Sequence, residues 1–193
     1  YDLASDSDSP TGDPGDKTTS NYGYYNGGTP YDPSDPTSWQ DDYVLFRMRL
    51  SGDPSQKDGL RSGHWNILLD VDNDGYKEYW VDVDGTYSSN DSDHVQILYD
   101  NGNSQGIDDP DTVRVEEFDA WNDGSVATSH TRVLPCDDGN GYWLDVQIPL
   151  IAFTDLNGNQ ILYPNSPISF AFSTGASNVN PLQKDWSRDF DSD

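Results

Sequence analysis

At 193 residues the chain suits one domain with a real core, and ten Lys and Arg against 35 acidic residues give it a formal charge of −25. That balance excludes nucleic acid as a partner, since nucleic-acid binding rests on neutralising phosphates, and it disfavours anionic membrane surfaces. No run of about 18 apolar residues is present to insert into a membrane as a helix, and a single cysteine, Cys136, excludes an intrachain disulfide.

Residues 1–40 carry no hydrophobic periodicity and are rich in Ser, Thr, Asp, Gly and Pro, with tyrosines at 22, 24, 25 and 31. This composition predicts an extended low-complexity arm, tied down by metal, by the domain's own surface or by a neighbouring subunit. The opening Tyr1-Asp2-Leu3, without Met, reads as a mature product from which a signal peptide has been removed. A β-domain is expected over 41–193.

Its first strand is Tyr43–Leu50, where Val44, Phe46, Met48 and Leu50 alternate onto one face. Further strands are predicted at Gly63–Asp70, Lys77–Val83, Val95–Tyr99, Thr112–Phe118, Val126–Leu134, Tyr142–Pro149 and Ile168–Ser173. Each is short, rich in β-branched or aromatic residues and bounded by Asp, Asn or Gly. Leu150–Asp155 is the one helical turn expected; Asn101–Asp111 and Thr174–Asp193 read as loops or tail. About eight antiparallel strands with 12% aromatic and 33% hydrophobic residues predict an all-β, two-sheet sandwich of jelly-roll kind.

The acids are 32 Asp and three Glu. Glu is the better helix former, whereas Asp is the acid of turns and a hard oxygen ligand for calcium. Halophilic adaptation also explains an acidic surface, but such surfaces normally recruit Glu as freely as Asp. The clearest cluster is Asp70-Val-Asp72-Asn-Asp74-Gly75-Tyr76-Lys-Glu78. Acids at positions 1, 3 and 5 converge when the chain curls, and Gly at position 6 permits the sharp turn. The Tyr76 carbonyl at 7 and Glu78 at 9 continue the ring. Strand-like flanks make this a calcium loop closing a β-hairpin, not a helix-loop-helix hand. Hydrogen-bonded Asx turns without metal are the plain alternative.

Weaker clusters extend the expectation to more than one Ca2+ ion. Asp82 and Asp84 with Asp91 and Asp93 flank one loop and suggest a second site. Asp108, Asp109 and Asp111 suggest a third, and Asp155-Leu-Asn157-Gly-Asn159 a fourth. Asp6, Asp8, Asp13 and Asp16 of the arm suit a site completed on another subunit. Asn90-Asp91-Ser92 is a glycosylation sequon.

No catalytic constellation stands out. His64, His94 and His130 have no zinc-ligand spacing, no nucleophile elbow or phosphate loop appears, and no carboxylate pair is singled out. A non-enzymatic protein is expected. Trp65, Trp80 and Trp143 fall within strands as core or sheet-face residues, while Trp39, Trp121 and Trp186 fall in polar segments and are freer to stack on sugars.

Three segments together resemble the family-nine carbohydrate-binding module and related DOMON-like sandwiches. They are Trp39-Gln-Asp-Asp-Tyr-Val-Leu-Phe-Arg-Met-Arg-Leu50, Trp65-Asn-Ile-Leu-Leu-Asp-Val-Asp-Asn-Asp-Gly75 and Tyr142-Trp-Leu-Asp-Val-Gln-Ile-Pro-Leu-Ile-Ala-Phe153. The resemblance spans roughly residues 39–173 and implies a β-sandwich with a calcium-type Asp loop. In build alone, the chain is similar to small acidic secreted subunits that polymerise with calcium into cannula-type tubes or fibres. Two expectations follow. The first is an extracellular or cell-surface structural protein whose partners are copies of itself, joined by donor-strand docking of the arm and by bridging calcium. The alternative is a carbohydrate-binding or adhesive module, with polysaccharide as partner.

Overall fold

The computed structural model describes residues 21–25, 32, 34–35, 37–40, 42–56, 59–85, 94–99, 113–119, 130–137, 139–164, 166–175 and 185–186. Among these the fold is all-β, built from antiparallel sheets. The strands are β1 (Asn21–Tyr25), β2 (Tyr43–Leu50), β3 (Ser55–Gln56), β4 (Gly59–Leu60), β5 (His64–Asp70) and β6 (Tyr79–Asp84). They continue with β7 (His94–Tyr99), β8 (Val113–Asp119), β9 (Thr131–Pro135), β10 (Tyr142–Pro149), β11 (Ser169–Gly175) and β12 (Asp185–Trp186). One sheet runs β1-β2-β10-β9 and a second runs β12-β11-β5-β6-β7-β8, while β3 and β4 form a separate small hairpin.

Each of the eight expected segments carries a strand, although of 126–134 only the part from Thr131 onward is a described strand. The additional strands are β1, β3, β4 and β12. Of these, β1 lies in the stretch expected to be an arm, and pairs with the chain's own β2, Tyr22 opposite Phe46 and Tyr24 opposite Val44. The expected helical turn is a single 3-10 turn at Leu150–Ala152, closed by the Phe153 N–H donating to the Leu150 carbonyl at 3.1 Å.

Alternation explains the core. On β2 and β10, Val44, Phe46 and Met48 lie opposite Ile148, Val146 and Leu144, and all six join one buried cluster. The second sheet sends Trp65, Ile67 and Leu69 of β5, Tyr79, Val81 and Val83 of β6, and Val95 and Ile97 of β7 into that same cluster. Phe46 meets Phe172 edge-on at 6.4 Å, and Tyr79 meets Phe153 at 5.4 Å and 85°, geometries that aromatic rings favour.

The opposite faces are buried too. In the first sheet they carry Leu45, Arg47, Trp143, Asp145 and Gln147; in the second, His64, Asn66, Leu68, Trp80, Asp82 and Asp84. Every residue of β5 and β6 is therefore buried. Polar side chains in such positions require partners, and the structure supplies them. Arg47 grips Asp145 with Nε to Oδ1 at 2.7 Å and a second guanidinium nitrogen to Oδ2 at 3.0 Å. Arg132 reaches the same Oδ2 at 2.9 Å, and Trp80 Nε1 donates to Asn66 Oδ1 at 2.7 Å.

The β9–β10 turn rests on Gly141. Its φ is +101°, and an added Cβ would run into the Leu50 carbonyl oxygen. The Gly141 carbonyl also accepts the Cys136 N–H at 3.0 Å, so the turn cannot simply swing away. Gly141→Ala is expected to destabilise by about 2 kcal/mol or more, from left-handed backbone cost plus the collision. Urea denaturation of the variant and parent checks this.

Candidate metal centre

The predicted acidic loop joins β5 to β6, and the ladder runs up to it: the Glu78 N–H donates to the Leu69 carbonyl at 2.9 Å. Between these points the chain takes two left-handed residues, Asn73 at φ 61° and Gly75 at φ 91°, the residue types that tolerate such backbone. The reversal folds the loop's acids inward. One carboxylate oxygen from each of Asp70, Asp72, Asp74 and Glu78 lies within 4.8 Å of the other three. Oxygens on opposite sides of a calcium ion stand about 5 Å apart, given bonds of about 2.3–2.6 Å, so these four fit around one ion.

Backbone amides hold the carboxylates in place. Asp70 Oδ1 accepts the Asn73 N–H at 2.6 Å and Oδ2 the Gly75 N–H at 3.0 Å. Asp72 accepts from Asp74 at 3.1 Å, Asp74 from Tyr76 at 2.9 Å, and Glu78 from Val71 at 2.8 Å. The Asp72 and Asp74 bonds are Asx turns, and the whole set also preorganises a cation site, because each carboxylate has about four lone-pair positions. The Tyr76 carbonyl remains the expected seventh-position ligand.

Glu78 is half-buried beside the other acids. Burial pushes its carboxyl up to about 7, the Val71 N–H opposes this, and the charges of Asp72, Asp70 and Asp74 add to the rise. A carboxyl whose folded pKa lies above its unfolded value destabilises the metal-free fold as pH rises from about 4.5 to 7, since the unfolded chain releases its proton first. A dication reverses this preference and must displace the proton to bind. Calcium affinity is therefore expected to climb steeply as pH approaches 7, by up to roughly tenfold per unit for one displaced proton, and to flatten above it. Calorimetric titrations at several pH values check this, and Glu78→Gln should remove most of the slope.

The remaining expected ligands divide. Asp82 and Asp84 lie on β6, where the structure brings them to His64, a residue that showed no metal-ligand spacing along the chain. His64 Nδ1 sits 2.9 Å from Asp82 Oδ1 and 3.2 Å from Oδ2, and Nε2 sits 3.6 Å from Asp84 Oδ1. All three side chains are buried. Burial pulls the imidazole pKa down, but the Asp82 hydrogen bond and the charges of Asp82 and Asp84 outweigh it and leave the pKa above its ordinary value. The available signal was the alternation Asp82-Val-Asp84 facing His64 across one hairpin.

Asp91, Asp93, Asp108, Asp109 and Asp111 lie outside the described residues, as do Asn90 and the arm's Asp6, Asp8, Asp13 and Asp16. At the expected fourth site Asp155 is engaged by its own turn: Oδ1 accepts the Asn157 and Asn159 N–H groups, both at 2.8 Å, and Oδ2 accepts Asn159 Nδ2 at 2.8 Å. Among the tryptophans, Trp65, Trp80 and Trp143 are buried, as their strand positions imply. Trp39, expected to be freer, packs against the core and meets Tyr163 edge-on at 5.5 Å. Cys136 is buried and forms no disulfide. Among the described residues no helix is long and apolar enough to cross a membrane.

No family model, curated protein or solved structure matches the chain.

Proposed function

We propose that the protein is a calcium-binding structural subunit of the cell exterior, a β-sandwich of jelly-roll type that self-associates into a surface layer, filament or tubule. The observation carrying this reading is the convergence of Asp70, Asp72, Asp74 and Glu78 within 4.8 Å on a preorganised hairpin. Four like charges at this spacing repel one another strongly, and a hard dication turns the repulsion into attraction. Two sheets feeding one core support the sandwich. A formal charge of −25 keeps monomers apart in the absence of cations, so the ion that quenches the loop also licenses contact between copies. The stretch 1–40 supplies the docking element in this reading. Since β1 already pairs with the chain's own β2, the segment available to a neighbour lies before residue 21.

Negative-stain microscopy of the purified chain, with calcium and then with EDTA, tests the proposal. Fibres, tubes or sheets that form with calcium and dissolve on chelation are expected, and removal of residues 1–20 should prevent them. Monomers under both conditions would refute the assembly reading. Saturable binding to a glycan array by such monomers would favour the carbohydrate-binding alternative instead.

A further inference from the structure

The structure holds a second cluster with different chemistry from the all-oxygen loop. His64 at the start of β5 and Asp82 and Asp84 on β6 present an imidazole and two carboxylates whose ligand atoms lie within 4.8 Å of one another. All sit on the face of the second sheet turned away from the shared core, and none is more than 4% exposed. Two carboxylates thus flank one imidazole in a buried setting.

The two ring nitrogens are treated differently. Asp82 holds Nδ1 by a 2.9 Å hydrogen bond, which fixes the ring and its tautomer as an orienting carboxylate does in carboxylate–histidine–metal triads. Nε2 faces Asp84 Oδ1 across 3.6 Å, beyond hydrogen-bond range. A metal bonded to both atoms at about 2.0–2.1 Å would subtend an angle of roughly 120° at that separation, within the range of a distorted tetrahedral or trigonal site. Calcium is a poor fit, because it takes oxygen ligands at longer distances and in greater number. Imidazole with carboxylate suits a borderline transition ion.

We propose that His64 Nε2 and Asp84 bind a divalent transition ion of the zinc type, with Asp82 as the positioning residue for the imidazole. This centre is independent of the calcium loop and of the assembly proposed above.

The test uses the full chain, stripped with chelator and then saturated with calcium, titrated with Co2+ as a spectroscopic probe and with Zn2+ as competitor. One equivalent of Co2+ is expected to give visible absorption of a low-coordinate nitrogen–oxygen site, removed by Zn2+ and unmoved by further calcium. Asp84→Asn should abolish the band, and Asp82→Asn should weaken affinity roughly ten- to a hundredfold, both with unchanged far-ultraviolet circular dichroism. His64→Gln gives a second reading should one Asp variant fail to fold. Asp72→Asn, in the calcium loop, should leave the Co2+ band intact. The proposal is overturned by absence of a band, by displacement with calcium, or by a band that survives in folded Asp84→Asn. A band lost with Asp72→Asn also overturns it, because the ion then sits in the loop. Failure of the calcium reading alone would appear as a Co2+ centre in a protein indifferent to calcium.

Discussion

Chelation with EDTA is expected to lower the melting temperature of the purified chain by roughly 5–10 °C, and excess calcium to restore it. A ligand that binds only the folded state at about 100 times its Kd stabilises by about 2.7 kcal/mol, and each kcal/mol moves the midpoint of a domain this size by about 2–4 °C. Asp72→Asn and Asp74→Asn should abolish the calcium response. In EDTA the same variants should be at least as stable as the parent, because each removes one charge from a set confined within 4.8 Å. That inversion separates a metal site from turns that merely use Asp: in the second case both substitutions only weaken the turn, through the amides of Asp74 and Tyr76. It also separates the site from halophily, in which stability follows ionic strength and not calcium. Differential scanning fluorimetry at constant ionic strength decides the matter, and a melting curve indifferent to EDTA would remove calcium from the account.

The second large effect is expected far from that loop. Asp145 is fully buried and takes both Arg47, itself almost wholly buried, and the partly exposed Arg132. Asp145→Ala should cost about 3–5 kcal/mol, the penalty of leaving a buried cation without its counter-ion. Arg132→Ala should cost much less, since its partner keeps the two-pronged grip of Arg47. Replacing Arg47 and Asp145 together by Met and Leu should recover most of the loss, because well-packed apolar pairs often match a buried ion pair. Urea denaturation of the three variants supplies the comparison, and a small effect of Asp145→Ala would mean that water reaches this face. The guanidinium of Arg47 also stands 5.4 Å from the Trp143 ring centre and that of Arg49 5.6 Å. The tryptophan here backs an ionic cluster and offers no open platform to a sugar.

What was legible along the chain was what is local. The Asp70–Glu78 loop could be found because all its acids lie within nine positions, and curling one loop brings them together. Val44, Phe46 and Met48 announced β2 by alternation. The place of His64 in its cluster was hidden because it lies 18 or more positions from Asp82 and Asp84 and meets them only through the β5–β6 register. Asp155 and Asp70 look alike in sequence, each followed by Asn and Gly, and each accepts amides of its own loop. Asp70 differs in having carboxylates of Asp72, Asp74 and Glu78 gathered around it. Strand β1 was invisible for another reason. Asn-Tyr-Gly-Tyr-Tyr has no apolar alternation, and it becomes a strand by pairing residue for residue along β2. The burial of Arg47 and Asp145 was not legible, since nothing local signals that the outer sheet face is buried.

The β5–β6 hairpin carries a charged cluster at each end: Asp70 and Glu78 at the turn, and His64 with Asp84 at the open end, where the two are register partners. Sliding one strand past the other by a single residue would turn every side chain to the wrong face and separate the members of both clusters at once. The His64–Asp84 contact thus acts as a vernier for the central hairpin, and the acidic loop would add a second check once a cation holds its carboxylates together.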